Sequence, residues 1–383
     1  MDYRQAASAA LSTSSVPRVT GREVGVLALI SLTTVIVMSM AAELGARIWW
    51  PEQEKNECYT RGHLASFRPR AGCVARTKNP EGPWTTMTYN DCGYRSARPC
   101  GPKPKGVRRV VVLGSSLAEG WYVRYEDHFA SRVETALAQS CGFPVEFQNL
   151  ASLARPQNLQ DTLLDEVAGL KPDAVILVFA PYDLLSFSGK TDGDSTEQAA
   201  AAPLRRTPTD KGLLSSLRLM SRESRALIIA QHYMLENENL LYRAYQLSEG
   251  DDALHVPLSA AYVERYANFE RLLAKLASRL RSEDIPLVVV PAPNRIQAAL
   301  ISNHVSLPNV DAWAFAQAVK TIGERNRVLV ADAFAVFANS SHAERLYYAV
   351  DGHMTGGANA LLAIAIKQSL VDGSVKAFAR CRR

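Results

Sequence analysis

The 383-residue sequence has no dense run of lysine or arginine, and its charges nearly balance. Lysine and arginine number 43 against 38 aspartates and glutamates, a formal net charge of +5. So weak an excess over this length argues against nucleic acid as a partner. None of the six cysteines shares CxxC spacing with another, which removes a zinc ribbon and a dithiol redox motif. HExxH and P-loop patterns are absent, and the one glycine-bounded turn, GSSLAEG, lacks the GxGxxG spacing. No cofactor and no metal is therefore expected. No internal repeat is visible. Apolar residues are plentiful at 47%, enough for a substantial core and too many for a wholly disordered chain.

That apolar content is uneven. Val24 to Ala42 carries no charge over 19 residues. As a helix this segment is roughly 29 Å long, close to the hydrocarbon thickness of a bilayer. Arg18 and Arg22 precede it, Glu43 and Arg47 end it, and Trp49 and Trp50 suit an interfacial belt. A cleaved signal peptide is the alternative, with Ser39-Met40-Ala41 ahead of a cleavage point. The long leader and long apolar stretch favour an uncleaved anchor. Cys58, Cys73, Cys92 and Cys100 follow soon after, with Cys141 and Cys381 further on. Two bridges among the first four would staple a loop-rich segment in an oxidising compartment, and the connectivity stays open. The expected topology is one membrane crossing, with the body in an oxidising compartment outside the cytosol.

The chain divides into a cytosolic tail (1–23), an anchor (24–43), a cysteine-containing leader with little periodicity (44–106) and a main domain (107–383). In the main domain, strands are expected at Arg109–Leu113, Val145–Gln148, Ala174–Phe179, Leu287–Val290 and Val328–Val330. Helices are expected around Glu126–Ala138, through Tyr262, Tyr266, Phe269, Leu273, Leu276 and Leu280, and from about Gly357 to Leu370. This alternation gives an α/β class: a three-layer α/β/α, flavodoxin-like domain with a mostly parallel five-stranded sheet. Residues 186–255 interrupt the rhythm. Within them Lys190–Lys211 is rich in small and polar residues, and Leu213–Leu247 is mostly helical. This insertion is read as a lid or partner surface over the strand ends.

Two short patterns carry chemistry. Gly114-Ser115-Ser116-Leu117 follows the first strand of the main domain, where a serine can raise its hydroxyl above the sheet. A hydroxyl is a weak nucleophile without a base. Asp351-Gly352-His353 precedes the last helix. There Asp351 can hold one ring nitrogen of His353 and leave the other to take a serine proton. Asp127-His128 reads as a capping and surface pair, Arg155-Pro156 as a loop charge, and Asn339-Ser340-Ser341 as a chance glycosylation sequon.

Together these patterns resemble the SGNH-hydrolase (GDSL-esterase) superfamily. VVVLGSSLAEGWYV resembles its first block, with Ser115 in place of the usual Asp and Ser116 as nucleophile. YYAVDGHMTGGANALLA resembles its last block, with Asp351 as acid and His353 as base. The two-residue Asp/His spacing is similar to that of cell-surface polysaccharide O-acetyltransferases. YNDCGYR, upstream, resembles a lead-in of exported bacterial members. The resemblance implies an oxyanion hole from the N–H of Ser116, the N–H of Ala154 (Ala151 if the block slips) and a donor at Tyr182. Ala154 stands where the family has Gly, and Tyr182 where it has Asn.

The expected activity is thus a membrane-anchored serine esterase acting on acyl, in the first place acetyl, esters, with cell-surface polysaccharide as a candidate substrate. The alternatives are an O-acetyltransferase using the same side chains with a membrane acyl-transfer partner, and a non-catalytic polysaccharide-binding or assembly protein that keeps the fold.

Overall fold

The structure, a computed structural model, describes residues 20–50, 56–59, 68–151, 159, 161–187, 224–248, 252–372 and 375–381. Strands β1 (Val74–Lys78) and β2 (Trp84–Thr88) form an antiparallel hairpin. The larger sheet holds β3 (Arg108–Leu113), β4 (Val145–Asn149), β5 (Ala174–Phe179), β6 (Leu287–Pro291) and β7 (Leu329–Val330). All its neighbours are parallel, in the order β4-β3-β5-β6-β7. That is the doubly wound order in which the second strand lies outside the first, so the direction of winding reverses between β3 and β5. Every residue of β5 and β6 is buried, as expected for parallel strands covered on both faces.

The helices are α1 (Gly21–Trp49), α2 (Ser116–Glu119), α3 (Phe129–Cys141), α4 (Asp161–Gly169), α5 (Arg225–Glu236) and α6 (Glu238–Leu247). Then come α7 (Ala260–Arg281), α8 (Arg295–Ser302), α9 (Ala314–Arg325), α10 (Ala333–Ala338) and α11 (Gly356–Val371). Right-handed crossovers place α3 on one face and α4, α7 and α9 on the other, and α11 follows the last strand. The packing agrees: α3 rests on α11, while α7 touches α4 and α9. The buried stripe of α7 is Tyr262, Tyr266, Phe269, Leu273, Leu276 and Leu280, the residues picked out by helical spacing.

Helix α1 has a side-chain cap at Thr20 and a mean hydropathy of 2.3 over its most apolar window, none of which is buried. Its carboxyl end packs on α5. Glu43 accepts from Ser224 Oγ at 2.8 Å and from the N–H groups of Arg225 and Ala226, each at 3.1 Å. Of the insertion, α5 and α6 are described. Lys190–Lys211 and the leucine-rich start at Leu213 lie outside the described residues.

The leader differs from its sequence reading. It contains the β1–β2 hairpin, where little periodicity was expected. The inward side chains are Ala75, Thr77, Thr85 and Met87, mostly small or polar, so the alternation of burial is real but faint in hydrophobicity. The cysteines pair as Cys58–Cys73, Cys92–Cys100 and Cys141–Cys381. The third bridge ties the end of α3 to the carboxyl-terminal segment.

Candidate active site

Strand β3 runs into the nucleophile turn through Gly114, whose φ is +147°. A Cβ there would lie 2.5 Å from Ala118 Cβ and 2.7 Å from the Val178 carbonyl, so only glycine fits. Ser115 is extended and caps α2, and Ser116 is the first residue of that helix. The other end of α2 is tied down by buried donors. The guanidinium of Arg95, from the YNDCGYR stretch, donates to the carbonyls of Glu119, Gly120 and Val123. Asn149 Nδ2 donates to the Ala118 carbonyl at 2.8 Å. His128 Nε2 lies 3.1 Å from the same oxygen, while its Nδ1 accepts from Ala130 N–H at 3.3 Å. His128 was expected at the surface. It caps α3 as expected but is wholly buried, because the turn before α3 folds under α2. Burial, with the Arg95 charge added, pushes its pKa well below the ordinary histidine value, so the ring is neutral.

The Asp351–His353 turn approaches from the other side. Gly352, at φ +82°, reverses the chain so that Asp351 and His353 face each other. His353 Nδ1 lies 2.5 Å from Asp351 Oδ1, and His353 Nε2 lies 2.9 Å from Ser116 Oγ. The backbone N–H of His353 also donates to Asp351 Oδ1 at 3.1 Å. Two aromatic rings hold the imidazole. Trp121 stacks on it with centroids 5.8 Å apart, and Tyr122 meets it edge-on at 5.7 Å. Ser116 and His353 are each 4% exposed, so their hydrogen bond is screened from bulk water. The quoted first block contains Trp121 and Tyr122, but nothing in their spacing marks them as neighbours of a histidine 230 residues away.

Tyr182 follows β5, on the far side of the winding reversal from Ser116, where ligands of such sheets bind. Its hydroxyl is 3.0 Å from Ser115 Oγ and lies near the Ser116 side chain and the Leu117 N–H. Burial and the neighbouring Asp183 charge push its pKa well above the ordinary tyrosine value, so it stays an O–H donor. Ala154 lies outside the described residues. Ala151, the alternative position, donates its N–H to Asn149 Oδ1 at 3.0 Å, so that group is already engaged. A cavity of about 300 Å³ lined by Arg98, Arg109, Val145 and Glu146 sits at the amino ends of β3 and β4, the wrong end of the sheet for this site.

No protein-family model matches the chain, and no curated protein matches it. Among solved structures, it is similar to a lipase/acylhydrolase from Enterococcus faecalis at 13% identity and a TM-score of 0.38, covering 69% of this chain and 95% of that one. An acetylxylan esterase from Geobacillus stearothermophilus matches at 13% identity and a TM-score of 0.38, covering 72% and 97%. A GDSL-like lipase from Bacteroides thetaiotaomicron matches at 12% identity and a TM-score of 0.33, covering 70% and 91%. At such identities and scores the weight stays on the geometry of Ser116, His353 and Asp351.

Proposed function

We propose that the protein is a serine ester hydrolase of the SGNH type. One observation carries this reading: a single imidazole bridges Ser116 Oγ at 2.9 Å and Asp351 Oδ1 at 2.5 Å. His353 Nε2 takes the Ser116 proton as Oγ attacks the ester carbonyl. Asp351 holds Nδ1–H and favours the imidazolium that forms. The proton then passes to the leaving alkoxide, which departs as the alcohol. Water, activated by the same histidine, releases the acyl group and restores Ser116. Ser116 N–H, at the first position of α2 where no intrahelical acceptor exists, and the Tyr182 hydroxyl are the proposed oxyanion donors. Ala154 N–H is the proposed third.

The substrate proposed is an acyl, in the first place acetyl, ester on a cell-surface polysaccharide. The body is placed outside a bacterial inner membrane, held by α1. The apolar length of α1 and the three disulfides support that placement. Acyl transfer to a sugar hydroxyl is the second reading. The anchor favours it, because it would hold the site beside a membrane-bound acyl donor. The test uses the full chain in detergent with an activated acetyl ester and a fluorophosphonate probe. Labelling and turnover that both vanish in Ser116→Ala are expected. Acetylated oligosaccharide as the main product would select transfer. No labelling and no turnover in the parent would leave the non-catalytic binding protein.

A further inference from the structure

Glu81 lies in the turn between β1 and β2, remote in sequence from every member of the triad. Its side chain is only 1% exposed. A carboxylate so far from water needs hydrogen-bonding partners. Its partners belong to the acid–base turn and to the helix beside it. Val350 N–H donates to both carboxylate oxygens, at 2.9 and 3.1 Å, and Asp351 N–H donates to Oε2 at 2.8 Å. His232 Nδ1, on α5, lies 2.8 Å from Oε1. That bond with Glu81 raises the His232 pKa and favours its charged form. Neither Val350 nor Asp351 belongs to a helix or strand; the turn that carries them closes through Gly352 N–H to the Tyr348 carbonyl and Tyr348 N–H to the His353 carbonyl, which leaves the Val350 and Asp351 N–H groups to Glu81.

Two more contacts complete the seat. Arg295 Nη1 donates to the Ala349 carbonyl at 2.9 Å, so the 349–351 backbone is gripped through its carbonyl on one side and its N–H groups on the other. Gly82 brings bare backbone against the turn. A Cβ there would fall 2.6 Å from the Tyr348 ring. A side chain at this position would have to displace the Tyr348 ring, so the bare backbone lets the hairpin lie against the turn.

We propose that Glu81 is a positioning residue: its carboxylate seats the Val350–Asp351 backbone so that Asp351 Oδ1 meets His353 Nδ1. The inference rests on the triad reading above and extends it to the leader, which thereby becomes part of the catalytic apparatus. Glu81 touches no reacting atom. It acts through the placement of Asp351, where a displacement of about 1 Å is enough to slow catalysis severely.

The experiment measures kcat and KM of full-length Glu81→Gln on an activated acetyl ester, with the downfield proton resonance of His353 Nδ1–H as a second readout. Gln keeps the size but turns an NH2 group towards N–H donors. A ten- to hundredfold fall in kcat, a KM within twofold and a moved or lost downfield resonance are expected, at a melting temperature within a few degrees of the parent. Glu81→Asp keeps the charge and should recover part of kcat. Parent-like kcat with an unmoved resonance in Glu81→Gln overturns the proposal. If Glu81→Gln does not fold, Glu81→Asp decides alone: a threefold or larger fall in kcat at unchanged KM supports the proposal, and parent-like kcat overturns it. Ser116→Ala separates the two readings. If it retains turnover, the triad reading fails and this inference falls with it. If it is inactive while Glu81→Gln is parent-like, only the Glu81 assignment fails.

Discussion

The Ser116 turn and the Asp351–His353 turn meet at one hydrogen bond but are held in different ways. Ser116 stands at the junction of β3 and α2, fixed by backbone that pairs with β4 and β5 and by a glycine no other residue can replace. Asp351 and His353 stand on a short turn closed by backbone bonds from Gly352 N–H to the Tyr348 carbonyl and from Tyr348 N–H to the His353 carbonyl, and seated by side chains from three distant elements: Glu81 of the hairpin, Arg295 of α8 and the Trp121–Tyr122 pair. The difference is one of reach: the Ser116 turn is set by strand pairing and by buried donors from Arg95, Asn149 and His128, whereas the Asp351–His353 turn closes on its own backbone and is then seated by distant side chains.

The comparison is easiest to break at its centre. Ser116→Ala should lower kcat by at least about a thousandfold, since the remaining groups only bind and polarise the ester. Ester turnover measured alongside fluorophosphonate labelling checks this. Asp351→Asn should cost about a hundred- to ten-thousandfold in kcat with little change in KM, because an amide favours the wrong imidazole tautomer. An Asp351→Asn enzyme of near-parental kcat would mean that the turn's hydrogen bond is structural only. On the nucleophile side, Tyr182→Phe deletes one hydroxyl and leaves the ring. If that hydroxyl binds the oxyanion, kcat should fall about a hundredfold while KM stays within about threefold. A rise in KM alone would reassign Tyr182 to substrate binding.

Smaller effects sharpen the contrast. Gly82→Ala drives a methyl into the Tyr348 ring, so kcat should fall about three- to tenfold with a stability loss of about 1–2 kcal/mol, read by steady-state kinetics and chemical unfolding. His128 gives the smallest effect, on stability beneath the nucleophile. Its folded pKa is depressed, whereas the unfolded chain takes up the proton near the ordinary value of about 6.5. Its contribution is therefore fully present above that pH and is lost progressively as pH falls below it. The unfolding free energy of His128→Asn, compared with the parent from above that pH to below it, should show a flatter pH dependence.

Legibility in the sequence follows the same division. The runs RVVVL, AVILVF and LVVV are short, β-branched and bounded by turn residues, so β3, β5 and β6 were readable to within a residue or so. The stripe on α7 was readable because one face of a long helix must be apolar. The hairpin β1–β2 was not, since Ala75, Thr77 and Thr85 leave Met87 as the one large apolar side chain on its inner face. His128 was read as half of a surface pair because Asp127-His128 is polar in sequence, and only the fold of the turn beneath α2 buries it. Glu81 had no signal at all, since a lone glutamate between prolines in a turn looks like solvated charge.

By itself the sequence determined an apolar helix of bilayer length, the α/β alternation and the three side chains from which a triad can be built. These depend on local periodicity and on residue type, which a linear chain carries openly. The tertiary structure alone decided that His353 reaches Ser116, that Tyr182 lies over the amino end of α2, that Cys141 joins Cys381 and that Glu81 sits beneath Asp351. Those are contacts between residues far apart in the chain, and they exist only once the sheet order and the packing of the hairpin bring their backbones within hydrogen-bonding reach.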